Sequence, residues 1–332
     1  MENSYQKSRF GKIVLWIIVA VLLITAVGAI VVFNRKDNKP VEENATTYQS
    51  GMVMMAVPTV RLNEPTGVRF TAQITPELYN EVMADENKVF GMLIAPISYF
   101  MKVDVDEVPG DCDWLKEFEK ETLTVLTMDD ITPYAYTEPD GTLIEYRLNG
   151  AITNILYKNT NLQFLGVAYV KTTDGENITY KYASHPDGLT YKQCAYSFAY
   201  VAAERLNSYV VRNEHLAQAD LDMLNGVINN SVDLANGLTE ATDDGSAYAV
   251  TLSDIAKTLK VDEEFTIKVD IAEAVKTSIW WQSTDTNVAV VENGVVKAVG
   301  EGTATINVYV AGEEYTCAIT VGEVTETPEA NV

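Results

Sequence analysis

Four groups of side chains in this sequence have the types that site chemistry requires. The first is an acidic loop holding Asp104, Asp106, Glu107, Asp111 and Asp113. Hard carboxylate oxygens of this kind bind calcium, and Asp104, Asp106, Asp111 and Asp113 are the candidate ligands. Their spacing departs from the EF-hand loop: counted from Asp104, the sixth position is Pro109 and the twelfth is Leu115. Asp111 and Asp113 equally suit the start of a following helix, where a carboxylate caps free amides and meets the positive end of the helix dipole. No metal site is therefore assigned.

The second group is Ser184-His185-Pro186-Asp187, which contains the residue types of a hydrolytic triad. A triad converges from separate parts of a chain and needs an exposed nucleophile with an oxyanion hole. Four adjacent residues without such a setting read as a polar turn before a helix. The other histidine, His215, reads as a surface residue at the second long helix. The third group is the cysteines, Cys112, Cys194 and Cys317. None lies in a CxxC or metal-ligand spacing, and two histidines are too few for an ordinary zinc site. Cys112 and Cys194 would pair in an oxidising exterior if their Cα atoms came within ~7 Å. No cofactor is expected.

Tyrosines form the fourth group. Of 18 in the chain, Tyr134, Tyr136, Tyr146, Tyr157, Tyr169, Tyr180, Tyr182 and Tyr191 fall in the middle of the sequence. Tyrosine faces beside carboxylates suit glycan or peptide recognition. Tyrosine also packs in half-buried strands with its hydroxyl in water, and that plainer reading is the favoured one.

These groups must be held by folded elements, and the composition permits them. At 332 residues the chain has room for about two domains plus an anchor and linkers. Its net charge is −23, and the segment after residue 39 holds 18 basic against 45 acidic residues. Nucleic acid is excluded as a partner by such a surface, because phosphate backbones are repelled.

Residues 13–33 are uninterrupted by charge and long enough to span a bilayer as a helix. Lys7, Arg9 and Lys12 before it favour a cytoplasmic 1–12, with the rest outside. The rival reading is a cleaved signal peptide ending near Val27-Gly28-Ala29. The apolar run continues past Ala29, which favours an uncleaved signal-anchor. Residues 34–50 read as a polar linker and 323–332 as an acidic disordered tail.

From residue 249 the pattern becomes short alternating strands with turn signals. Glu264–Val269, Ser278–Gln282, Val288–Val291, Val295–Val299, Thr303–Val310 and Tyr315–Val321 are the clearest, with Asn293-Gly294 as a hairpin turn. Trp281-Gln282-Ser283-Thr284-Asp285, then Val288–Val291, then Asn293–Val296, then Ala298–Ile306 occur in an order that resembles the bacterial immunoglobulin-like domain of group 2, over 249–322. Thr284-Asp285 stands where that family often has Ser-Asp. The resemblance implies an all-β Ig-like sandwich used for display or adhesion, with Trp281 between the sheets. It implies no catalytic activity. Cys317 alternates in phase with apolar residues and reads as a core side chain.

Residues 51–240 are expected to form a central α+β module, a β-rich sheet or sandwich with helices at one end. Strands are read at 68–74, 89–95, 144–148, 163–171 and 178–182, with an Asp174-Gly175 hairpin. Helices are read at 76–87, capped by Thr75, and at 113–121, 190–212 and 216–235. Tyr196, Tyr200, Ala203, Leu206 and Val210 would form one apolar stripe on the third of these. The phrases at 61–70, 91–96 and 164–170 resemble an uncharacterised module of Firmicutes surface proteins.

The expected whole is a membrane-anchored extracellular protein that binds a glycan or protein ligand without catalysis. A structural spacer of the cell envelope is the alternative. A third reading, a glycan-acting hydrolase in the central module, would need two carboxylates facing one cleft about 5–10 Å apart.

Overall fold

The computed structural model describes residues 48–103, 113–235, 237, 250–271 and 278–322. The apolar run 13–33, its flanks and the tail 323–332 lie outside these residues. Among the described residues no helix is long and apolar enough to cross a membrane. The described chain is mostly β with some helices.

The larger sheet has nine strands: β1 (Tyr48–Met54), β2 (Thr59–Arg61), β3 (Gly67–Ile74), β4 (Lys88–Pro96), β5 (Leu126–Met128), β6 (Tyr134–Thr137), β7 (Leu143–Thr153), β8 (Phe164–Asp174) and β9 (Asn177–Ser184). Their order is β5-β4-β8-β9-β1-β3-β7-β6, with β2 added beside β3. The strands are antiparallel except at β1–β9, which run parallel with an irregular register between Tyr48 and Val53. Beyond that joint the sheet folds back on itself. Phe70, Ala72, Ile74 and Leu148 from one half share a core with Phe90, Met92, Ile94 and Ala168 from the other.

Glycines permit this close approach. A Cβ on Gly166 of β8 would sit 2.3 Å from the Phe70 ring, and one on Gly150 of β7 would sit 2.4 Å from the Met92 sulfur. Gly150 breaks the apolar pattern of its strand, which is why β7 runs several residues longer than its sequence signals. Strands β4 and β8 are buried on both faces. Their outer face carries a second core, where Phe100, Trp114, Phe118, Tyr169, Tyr182 and Tyr191 pack with Cys194. Helices α1 (Pro76–Met83), α2 (Ile97–Val103) and α3 (Trp114–Lys120) serve these cores. Thr75 caps α1 as expected, its hydroxyl accepting from the Leu78 amide. The helix stops at Met83 rather than Asn87, because the Asp85 carboxylate takes the Asn87 amide in a tight turn.

The expected helix over 190–212 is broken in two. Tyr191–Cys194 form a 3₁₀ turn with a Thr190–Gln193 capping box. Tyr196 then pairs in extended form with Phe164, exchanging both backbone hydrogen bonds. Only after Ser197 caps it does α4 (Phe198–Val211) begin. Tyr196 is thus off the helical stripe, and Val210 is exposed. Helix α5 (Gln218–Ala235) packs on α4.

The C-terminal strands are β10 (Thr251–Leu252), β11 (Ala256–Leu259), β12 (Glu264–Thr266), β13 (Val269–Asp270), β14 (Ile279–Ser283), β15 (Ala289–Glu292), β16 (Val295–Ala298), β17 (Gly302–Val310) and β18 (Glu313–Val321). A sheet β11-β18-β17-β14 faces a sheet β12-β16-β15, and β10 pairs with β13. Asn293 and Gly294 both take positive φ, the geometry of the two-residue turn that their sequence signals. Cys317 is wholly buried on the apolar face, and burial pushes its thiol pKa up. Trp281 is half-buried against the core rather than enclosed within it.

Helix α4 ties the two sheet systems together. Asn207, with 0% exposure, donates to the Ser278 carbonyl at 2.7 Å and accepts from the Gly312 amide at 2.7 Å. One oxygen of Glu204 accepts from the Ser278 hydroxyl at 2.8 Å and from the Trp280 indole at 2.9 Å. Gly312 lies so close to Leu206 that a Cβ would meet it at 3.1 Å. A single apolar cluster runs from the larger sheet through α4 into the C-terminal strands.

Candidate functional site

The residues singled out by type disperse in the structure. Asp104, Asp106, Glu107 and Asp111 lie outside the described residues, as does Cys112. Asp113 is described, and its carboxylate is already engaged: it accepts from the Tyr182 hydroxyl at 2.8 Å and pairs with Lys116 at 3.3 Å. It makes no side-chain cap to α3. The Tyr182 oxygen caps instead, accepting from the Leu115 amide at 3.1 Å. Among the described residues no three metal-ligating side chains gather. The Cys194 thiol is free and buried, and its burial raises the pKa to about 11, so it is a core group rather than a nucleophile.

Ser184, His185 and Asp187 do not converge. The Ser184 hydroxyl donates to the Met52 carbonyl at 3.3 Å. The His185 ring turns inward, 6.3 Å from the Tyr191 ring, and among the described residues neither of its nitrogens has a hydrogen-bond partner. Burial pushes its pKa down to about 4. Asp187 is exposed. His215 is on the surface as expected.

The tyrosines divide. Tyr169, Tyr182 and Tyr191 are core residues with at most 1% exposure, and Tyr146 stacks on Tyr79 at 3.6 Å. Tyr169 lies across Gly91, its cross-strand neighbour, to donate to Asp129. Burial pushes the Asp129 pKa up, but Lys171 and Tyr169 outweigh this and hold it below the usual range. These contacts pin the edge strand β5. Only Tyr134 and Tyr136 stand out in solvent, on edge strand β6.

Those two tyrosines open onto a polar face that the sheet alternation builds. Strands β2, β3 and β7 turn Val60, Val68, Phe70, Ala72 and Leu148 inward. The intervening residues therefore share the outer face. Pairing sets Arg61 opposite Gly67, Arg69 between Thr59 and Ala151, Thr71 opposite Asn149, and Gln73 opposite Arg147. Tyr134 and Tyr136 continue the rows from Arg147 and Glu145.

The side chains on this face hold one another. Thr71 donates to Asn149 at 2.8 Å, Gln73 donates to one Glu145 oxygen at 2.8 Å, and Arg147 Nε donates to the other at 2.8 Å. The Arg147 guanidinium lies 3.4 Å over the Tyr136 ring. The Asn149 amide reaches the Tyr134 hydroxyl at 3.5 Å. At its β1 side the face runs into an open depression of about 530 Å³, lined by Val53, Met54, Met55, Gln73, Ser184 and Asp187 among others. Gln73 belongs to both. Chemically this is a pre-arranged, half-buried row of amides and hydroxyls edged by two exposed aromatic rings, suited to binding rather than bond-making.

Residue type points to Tyr134 and Tyr136 but not to their partners. Alternation of apolar and polar residues over 67–74 was a usable signal for the outer face.

No family model matches the chain, and no curated protein matches it. Solved structures it is similar to include surface-layer and biofilm-associated domains at low identity. Domains 4 and 5 of the S-layer protein SbsC match at 12% identity over 48% of this chain and 66% of that one, with a TM-score of 0.21. A longer segment of the same S-layer protein matches at 13% identity over 61% of this chain and 27% of that one, TM-score 0.20. The BSP domain of a biofilm-associated protein matches at 12% identity over 86% of this chain and 53% of that one, TM-score 0.21. The chain thus spans from about a quarter to two thirds of these structures.

Proposed function

We propose that this chain is a non-catalytic recognition protein of the cell surface, and that it takes an extended glycan across the outer face of β2, β3, β7 and β6. On this reading the 13–33 run anchors it in the membrane with 34–332 outside. The 249–322 region is then an Ig-like module of the bacterial group 2 type, docked by α4 as a fixed extension of the recognition module.

One observation carries the reading. Thr71, Gln73, Glu145, Arg147 and Asn149 are ordered by one another, and they sit half-buried beside two exposed tyrosines and a depression. Hydroxyl-rich ligands gain most from donors and acceptors that are already ordered, since little side-chain entropy is then lost on binding. The non-catalytic reading is supported by Ser184 spending its hydroxyl on a backbone carbonyl and by the His185 imidazole, which bonds to neither Ser184 nor Asp187 among the described residues. The spacer alternative draws on the α4 joint, which would hold two modules at a set angle.

A glycan array probed with the full-length chain tests this, alongside Tyr134→Ala and Tyr136→Ala. Specific binding that falls at least tenfold in either variant is expected. Full retention in both would place recognition elsewhere and favour the spacer.

A further inference from the structure

Charge on the recognition face runs against that of the whole chain. Beyond residue 39 the sequence has a net charge of −27 and five arginines: Arg61, Arg69, Arg147, Arg205 and Arg212. Three of these, Arg61, Arg69 and Arg147, fall on this one face. Strands β2, β3, β6 and β7 contain a single acidic residue, Glu145, and no lysine. Arg205 and Arg212 lie elsewhere and pair with Glu214.

The three guanidiniums also keep donors unspent. Arg61 uses Nε on the Pro65 carbonyl at 2.9 Å. Arg147 uses Nε on Glu145, which leaves its two terminal nitrogens for other partners. Arg69 has no hydrogen bond or ion pair among the described residues. By strand geometry Arg69 and Arg147 stand about 14 Å apart along the sheet, and Arg61 lies about 7 Å beyond Arg69. Guanidinium forks match carboxylate and phosphate in a planar, bidentate manner.

From this strip we infer that the ligand is an anionic polysaccharide, carrying carboxylates at intervals along its length. The inference rests on the recognition reading above. A second copy of this chain is the competing occupant, being acidic as well. Two such copies would bring broad acidic surfaces together and repel. A single polymer strand touches only the strip, and acids beyond about 10 Å are screened from it.

The test uses the full-length chain with three immobilised probes: polygalacturonate, inorganic polyphosphate and neutral dextran. Expected is binding to polygalacturonate that falls at least tenfold in Arg69→Ala, falls less in Arg69→Lys, and weakens as salt rises from about 0.05 to about 0.3 M. Arg61→Ala gives a second variant should Arg69→Ala not fold. Binding to polyphosphate in place of polygalacturonate, with the same arginine dependence, would keep the anionic strip and name phosphate as the charge. Dextran bound as well as polygalacturonate, with Arg69→Ala silent and Tyr136→Ala deleterious, would overturn the anionic inference and leave glycan recognition standing. No probe bound, with self-association that Arg69→Ala abolishes, would overturn both in favour of a second copy.

Discussion

The outer face of β3 and β7 and the joint beneath α4 are both polar, yet they use their polar groups in opposite ways. At the joint the polar groups are tied to specific buried partners. Asn207 gives its amide to Ser278 and takes the Gly312 amide, and Glu204 takes two donors on one oxygen. On the outer face the groups are ordered by a few mutual contacts and several keep capacity. Arg147 is held through Nε on Glu145 and by stacking on Tyr136, which leaves its terminal nitrogens for other partners, and Asn149 and Gln73 each anchor one side of a longer row. Buried polar groups with all bonds made specify architecture. Exposed polar groups held in place with bonds left over are what a ligand can use. His185 fits neither pattern, since its ring is inside and its nitrogens are unpartnered among the described residues.

Cutting the joint should have the largest effect on the molecule. Asn207→Ala removes two hydrogen bonds and leaves the Ser278 carbonyl and the Gly312 amide buried without partners. At about 1–3 kcal/mol for each stranded group, a loss of about 4 kcal/mol is expected. Urea denaturation of the full chain measures it. A change under about 1 kcal/mol would mean that water replaces the amide and that the joint is not a structural clamp.

How far the sequence reached differs between the two regions for the same physical reason. The C-terminal strands were readable because their pairing is local. Asn293-Gly294 joins β15 to β16 and Ala311-Gly312 joins β17 to β18, so alternation and turn chemistry are enough. In the larger sheet the hairpin at Asp174-Gly175 was readable for that reason too. The β1–β9 and β3–β7 pairs join segments far apart in sequence, and no local pattern announces them. The recognition face depends on those pairs. Arg61, Arg69 and Arg147 become neighbours only once β3 lies between β2 and β7. Alternation said which residues of β3 face out, but not which residues of β7 lie beside them. The break in the 190–212 helix was hidden likewise, because it is set by Tyr196 pairing with Phe164. The acidic loop was legible as composition, and the one member described, Asp113, turns out to serve Tyr182.

The next largest effect separates His185 from both regions. Its native pKa is pushed down to about 4 from an ordinary 6.5 by burial. Between those values the unfolded chain binds a proton and the native chain does not. Stability therefore falls as pH drops from 6.5 toward 4, by up to about 3 kcal/mol at 1.36 kcal/mol per unit. His185→Gln should flatten that part of the pH–stability curve, read from denaturant midpoints at successive pH values. An unchanged slope would show that the imidazole is solvated and that its apparent isolation carries no cost.

The smallest expected effect is the one that decides whether the outer face is held for a ligand or for the fold. Arg69 is half-exposed and spends none of its donors among the described residues, so Arg69→Ala should shift stability by under about 0.5 kcal/mol. Placed beside Asn207→Ala, it gives opposite outcomes in the same denaturation experiment. A loss of 2 kcal/mol or so at Arg69 would place its stem in the packing of β2 on β3, as happens when a long basic side chain covers apolar surface. The face would then be a polar exterior that supports the sheet, and the contrast with the α4 joint would disappear. A silent Arg69→Ala in stability, with the wild-type melting curve retained, leaves the guanidinium with no structural duty and makes any binding defect in that variant a property of the face itself.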